Sequence, residues 1–141
     1  MINLTPFLLF DGNCAEAMAF YKSCLDGELT LTKLVDTPMK DQVPPALHNR
    51  VVYAHLKRDT IEFSATDWLH QTRKPHQGNM VAMHITCGKY ADLRKIFNKL
   101  AEGAPKDLLD DLQEMPFGTY GHLADKYGVH WFFHSNDILT G

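Results

Sequence analysis

Apolar and polar positions alternate most clearly near the end of the chain, from Phe117 to His134. Val129, Trp131 and Phe133 fall on one face of an extended segment, and His130, Phe132 and His134 fall on the other, because strand side chains alternate. The stretch before it, up to Ala124, reads as a partner strand. Asp125-Lys-Tyr-Gly128 joins the two as a tight turn, with glycine supplying the backbone angles that other residues resist. One face is apolar enough for a core. The other carries two imidazoles around a phenyl ring, which suits either a ligand pocket or a half-solvated strand face.

The same reading applied from the start predicts a strand over Leu4 to Phe10, broken by Asp11-Gly12. Asn13 then reads as an N-cap with Glu16 completing a capping box. A helix follows over Cys14 to Leu25, with Ala17, Phe20, Tyr21, Cys24 and Leu25 as its apolar stripe and Gly27 as its C-cap. Glu28 to Val35 alternates as a strand. Residues 36–49 hold Pro38, Pro44 and Pro45, and such a long loop is expected to be mobile or to cover a site. Arg50 to Leu56 and Thr60 to Thr66 are strands. In the first, Val52, Ala54 and Leu56 share a face opposite Val51, Tyr53 and His55. In the second, Ile61, Phe63 and Ala65 oppose Glu62, Ser64 and Thr66. Asp67 to Gly78 is polar and reads as a connector.

The second half repeats the first. Met80 to Cys87 predicts a strand, and Lys89 to Ala101 a helix with Tyr90, Leu93, Ile96, Phe97 and Leu100 inward, ended by Gly103 and Pro105. Leu108 to Met115 predicts a strand whose Asp110-Asp111 pair interrupts the pattern. At a spacing of 76, Ala15 meets Ala91, Glu16 meets Asp92, Phe20 meets Ile96, Tyr21 meets Phe97 and Gly27 meets Gly103. The order is strand, helix, then three strands, twice: an α+β architecture of paired βαβββ modules, about 1–68 and 79–136, in one domain over residues 1–141. Each helix would cover one face of a mixed sheet and leave the other as a wall; two walls make a cup, the default place for a ligand.

Composition narrows the classes. A chain of 141 residues with 45% hydrophobic and 22% charged positions is ordinary for a globular domain. A net charge of -3 and the absence of any basic run argue against nucleic acid. No apolar stretch reaches membrane-spanning length, and the N-terminus lacks a secretory pattern. Cys14, Cys24 and Cys87 show no metal spacing and suit the reducing cytoplasm.

Leu9-Phe10-Asp11-Gly12-Asn13-Cys14 through Phe20-Tyr21, with Gly27-Glu28, resembles the opening of the glyoxalase/bleomycin-resistance/dioxygenase superfamily, also called vicinal oxygen chelate. Tyr120-Gly121-His122-Leu123-Ala124-Asp125 through Trp131 resembles the closing motif of its PhnB-like branch, labelled 3-demethylubiquinone methyltransferase-like. The resemblance covers nearly the whole chain. It implies paired βαβββ modules forming a cup, assembled as a homodimer in contact with a small molecule. It also implies a divalent ion held by four His, Gln or Glu side chains, one from the first and last strand of each module. Those positions fall near Pro6, at Glu62, near Ala82 and near Phe132, and only Glu62 offers a lone pair. A displaced zinc, nickel or iron site from His55, Glu62, His84 and His130 is the alternative.

The reading of the residues is a small-molecule-binding protein without the usual four-ligand metal site. Its pocket is expected to be lined by Tyr53, His55, Glu62, His84, His130 and Phe132. Whether it is an enzyme stays open: the alternatives are a lyase, isomerase or dioxygenase on a shifted metal, or a metal-free enzyme with Glu62 as base. A vestigial structural dimer would have the cup filled by side chains. No glycine-rich strand-to-helix turn of the nucleotide-binding sort is present, so no nucleotide cofactor is expected. Ser64 and Thr66 lack a nucleophile-elbow motif and read as strand polar residues.

Overall fold

Residues 1–70 and 72–137 are described by the computed structural model of the chain. They fall into two units, Met1–His76 and Gln77–Gly141.

In the first unit the apolar alternation becomes β1 (Phe7–Phe10), β2 (Glu28–Lys33), β3 (Val51–Arg58) and β4 (Ile61–Asp67), with α1 (Cys14–Leu25) between β1 and β2. The sheet order is β1-β4-β3-β2, with β1 parallel to β4 and the other pairs antiparallel. Helix α1 packs on β2, β3 and β4. Cys14, Ala17, Met18, Tyr21, Cys24 and Leu25 are buried against Ala54, Leu56, Phe63 and Ala65. Tyr21 meets Phe63 edge to face at 5.9 Å between ring centroids.

The second unit repeats this with β5 (Met83–Cys87), α2 (Tyr90–Leu100), β6 (Leu109–Met115), β7 (Gly118–Ala124) and β8 (His130–Ser135), in the order β5-β8-β7-β6. Leu93, Phe97 and Leu100 of α2 are buried, as are Leu123, Trp131 and Phe133. Phe97 and Phe133 stack edge to face at 4.9 Å. Burial of side chains this size stabilises by roughly 1.5–3 kcal/mol each. The predicted turn forms: Gly128 has φ +88° and its N–H donates to the Asp125 carbonyl at 2.9 Å. The Asp125 carboxylate also takes the backbone N–H of Tyr127 and Val129 and the Trp131 indole N–H.

Several expectations are corrected. Asn13 makes no side-chain cap bond to α1; the Asp67 carboxylate accepts from Gly12 and Cys14 instead. Asp67 is therefore the buried end of β4 and not part of a connector. The expected connector also includes Gln71, which lies outside the described residues. The left-handed residue ending α1 is Asp26, with φ 55°. Gly27 serves close packing, since a Cβ there would lie 3.0 Å from Leu56. On β3 the ladder passes from Tyr53 to Val51, leaving Val52 as a bulge. The bulge turns Val51 into the core with Ala54 and Leu56, while Val52 is only half-buried. Three short 3-10 turns occupy Leu34–Asp36, Pro38–Gln42 and Pro45–Leu47. His48 Nε2 lies 2.7 Å from the Lys40 carbonyl and 3.2 Å from that of Val43, tying this segment together.

Candidate functional site

Each helix covers one face of its sheet, so the chemistry-bearing side chains stand on the opposite, open face. Register fixes who meets whom. In the first unit Thr30, His55, Ser64 and Phe7 form one cross-strand row. In the second, Asp110, His122, Phe132 and His84 form the corresponding row. Tyr53-Ala54-His55 on β3 is thus matched by Tyr120-Gly121-His122 on β7, 67 residues later. The open-face residue two before Ser64 is Glu62, and two before Phe132 it is His130.

These equivalent positions are used alike. His55 Nε2 lies 2.7 Å from Glu62 Oε2, with both side chains partly exposed at 27% and 39%. The Tyr53 ring stacks nearly parallel to His55, 9° between planes at 6.3 Å, and its hydroxyl lies 3.1 Å from Ser64 Oγ. In the second unit His122 Nε2 lies 3.0 Å from His130 Nδ1, the rings stacked at 5.2 Å. Asp110 Oδ2 stands 3.6 Å from the other nitrogen of His122. Phe132 packs on His122 at 4.5 Å and on Tyr120 at 5.8 Å. Burial makes His130 harder to protonate than an ordinary histidine; the neighbouring His122 adds to this and Asp125 opposes it.

Of the expected pocket residues, Tyr53, His55 and Glu62 come together on the first unit's open face. His84, His130 and Phe132 come together on the second's. Tyr120 and His122 stand on the same face as these and were not among the expected pocket residues, though the signal was in the letters: a Tyr-x-His repeated once per unit. The register also revises the position expected for an ion ligand on the last strand. Glu62 corresponds to His130 and not to Phe132, because the row through His55 and Ser64 matches the row through His122 and Phe132, and each of the two lies two residues before its row. Phe7 likewise corresponds to His84.

The open face of the first unit also exposes apolar side chains: Phe7, 51% exposed, and Leu9, 43%, on the edge strand β1, and Tyr53, 47%, on β3. As for a divalent ion, the corresponding positions carry Phe7 and Glu62 in the first unit and His84 and His130 in the second, and of these side chains the phenyl ring donates no lone pair. Among the described residues no three His, Cys, Asp or Glu side chains gather as an ion-holding group. Burial pushes the Cys14 thiol up to about 12, with the Asp67 carboxylate adding to the effect, so this cysteine stays protonated in the core.

The sequence profile of the family described as 3-demethylubiquinone-9 3-methyltransferase matches residues 2–133. No curated protein matches the chain. Among solved structures, a protein from Pseudomonas aeruginosa is similar, with TM-score 0.83 and 24% identity, covering 96% of this chain and 98% of that one. A Bacillus cereus protein described as a putative 3-demethylubiquinone-9 3-methyltransferase, PhnB protein, has TM-score 0.72 and 26% identity over 95% of this chain and 99% of its own. A bleomycin-binding protein from bleomycin-producing Streptomyces verticillus, solved with copper(II)-bleomycin, has TM-score 0.52 and 13% identity over 96% and 98%.

Proposed function

The chain belongs to the 3-demethylubiquinone-9 3-methyltransferase family, a PhnB-like branch with the glyoxalase/bleomycin-resistance fold, and from that membership we propose that it binds a small organic molecule through the open faces of its sheets, without the four-ligand metal site of the wider superfamily. The observation that carries this reading is the His55–Glu62 pair, 2.7 Å apart and partly exposed, beside exposed Tyr53, Phe7 and Leu9. An accessible carboxylate beside aromatic and aliphatic surface suits a ligand with a cationic or hydrogen-bond-donating group on an apolar body. The Streptomyces verticillus protein of the same fold, solved with copper(II)-bleomycin, supports binding as a use of this architecture.

The proposal includes two modules, about 1–68 and 79–136, and a second copy of the chain as partner. Met1, Ile2 and Leu4 are fully exposed apolar residues, as are Met80 and Val81 ahead of β5, and a partner would shield them. Three free cysteines suit the cytoplasm.

Titration of a panel of aromatic amines into the purified, untagged chain, followed by calorimetry, tests the reading. Glu62→Gln is expected to weaken the best binder by at least about tenfold, or ~1.4 kcal/mol, with metal content unchanged. Stoichiometric zinc, nickel or iron that is lost with Glu62 would replace this reading by a metal-dependent enzyme. The His55–Glu62 contact also favours a second reading, in which the pair accepts a proton from a carbon acid. Its mark would be solvent deuterium entering a substrate carbon with the wild type and not with Glu62→Gln.

A further inference from the structure

The two units diverge where the last strand of each runs out. Leu9 pairs with Thr66 in the first unit and Thr86 with His134 in the second, so these rows correspond. Two residues further along the open face stands Trp68 in one unit and Asn136 in the other. The Trp68 N–H donates to the Phe10 carbonyl at 2.7 Å, which extends the ladder and seats the residue at the sheet's end. Its indole Nε1 is buried. At the corresponding end of the second unit lies a cleft of about 210 Å³, lined by Thr86, Cys87, Gly88, His134 and Asn136. One unit spends an indole here, and the other leaves a groove.

We propose that this cleft is a binding site for a small, neutral, planar heteroaromatic molecule carrying a ring N–H, about the size of indole. Size comes first. An apolar cavity of about 150 Å³ accepts a single benzene ring, and drug-sized pockets start at roughly 300 Å³, so one or two fused rings fit. Polarity comes second. His134 Nε2 lies 3.2 Å from the Phe117 carbonyl oxygen. A carbonyl only accepts, so Nε2 carries the hydrogen, and in the neutral ring Nδ1 has a lone pair for a ligand donor. Thr86 and Asn136 add groups that both donate and accept. The Phe117 ring, 54% exposed, stands 5.7 Å from the His134 ring and tilted 41° to it, and adds aromatic surface beside the cleft. Charge comes third. The first N–H of α2, at Tyr90, already donates to the Asp137 carboxylate at 3.1 Å. A negative charge therefore sits where a helix terminus would otherwise favour an anion, and a phosphate or carboxylate ligand is disfavoured.

Cys87 supplies the readout. It is half-exposed in the cleft, whereas Cys14 and Cys24 are buried. Alkylation of Cys87 by iodoacetamide, followed by peptide mass, should slow saturably with added indole, about tenfold when indole reaches roughly ten times its Kd. Naphthalene, which lacks the N–H, should protect far less. Asn136→Trp, which places in the second unit the residue found in the first, should slow alkylation by itself and abolish the effect of indole. Gly88→Leu does the same from a position where a Cβ meets nothing within 4 Å, and so keeps the test intact if the tryptophan variant does not fold. Alkylation unaffected by indole up to its solubility limit, or protected equally in folded Asn136→Trp or Gly88→Leu, would overturn the proposal. The outcome is independent of Glu62.

Discussion

Asp67 Oδ1 accepts the backbone N–H of Cys14 at 2.9 Å, across 53 residues of chain. The same oxygen takes the Gly12 N–H, and Oδ2 takes that of Val51, also at 2.9 Å. One buried carboxylate thus ties the end of β4 to the start of α1 and to the bulged start of β3. The second unit uses the same device more loosely, with Asp137 accepting from Tyr90. Asp67→Ala leaves three backbone donors without their acceptor, and urea unfolding should show a loss of about 3–5 kcal/mol. Asp137→Ala, at an exposed cap, should cost about 1 kcal/mol.

The stacked His122 and His130 rings make a second prediction. His122→Leu removes the hydrogen-bond partner of a nearly buried imidazole, and should cost about 1–3 kcal/mol. The His122→Leu/His130→Leu pair should cost less than the two single changes added together, with a coupling of at least about 0.5 kcal/mol. Additive losses in chemical denaturation would mean that the contact contributes nothing.

Asp111 yields a pH dependence. Its hydrogen bond from Arg94, 2.7 Å long, holds the carboxyl below its ordinary 3.8, and the Leu112 N–H helps against the opposing effect of burial. A folded-state pKa below the unfolded one means that stability is present above about 3.8 and is lost as pH falls through the depressed value. The Asp111 side chain is 64% exposed, so screening limits the pair to at most about 1 kcal/mol. Melting curves of wild type and Asp111→Asn should differ slightly at pH 7 and converge in acid. A gap that persists below the depressed pKa would assign the effect to packing.

Gly118 has φ +124°, and a Cβ there would collide with the Ser135 carbonyl oxygen of the paired strand. Gly118→Ala should therefore destabilise by about 3 kcal/mol or more. At Gly88, where no such neighbour exists, Gly88→Ala should stay within about 0.5 kcal/mol. Thermal melts of the two variants check the contrast.

What was legible from the letters was whatever depends on neighbours along the chain. Helical spacing of apolar residues marked α1 at Cys14–Leu25, the bounds it has in the fold. Alternation around Asp125–Gly128 marked the β7–β8 hairpin, because a tight turn and its flanking strands are one local unit. The spacing of 76 marked the duplication, and it holds from Cys14 to Tyr90 at the helix starts. Past the helices it drifts, since β3 begins 67 residues before β7.

The sequence by itself determined two βαβββ repeats, their apolar faces, and a polar face bearing Tyr53, His55 and Glu62 in one unit and His84, His130 and Phe132 in the other. Tertiary structure decided which of these touch: His55 with Glu62, His122 with His130, Asp67 with Cys14. Periodicity needs only adjacent residues, but a cross-strand partner needs a register. A single extra residue, such as the bulge at Val52, changes which side chains share a face without altering the composition that announces a strand.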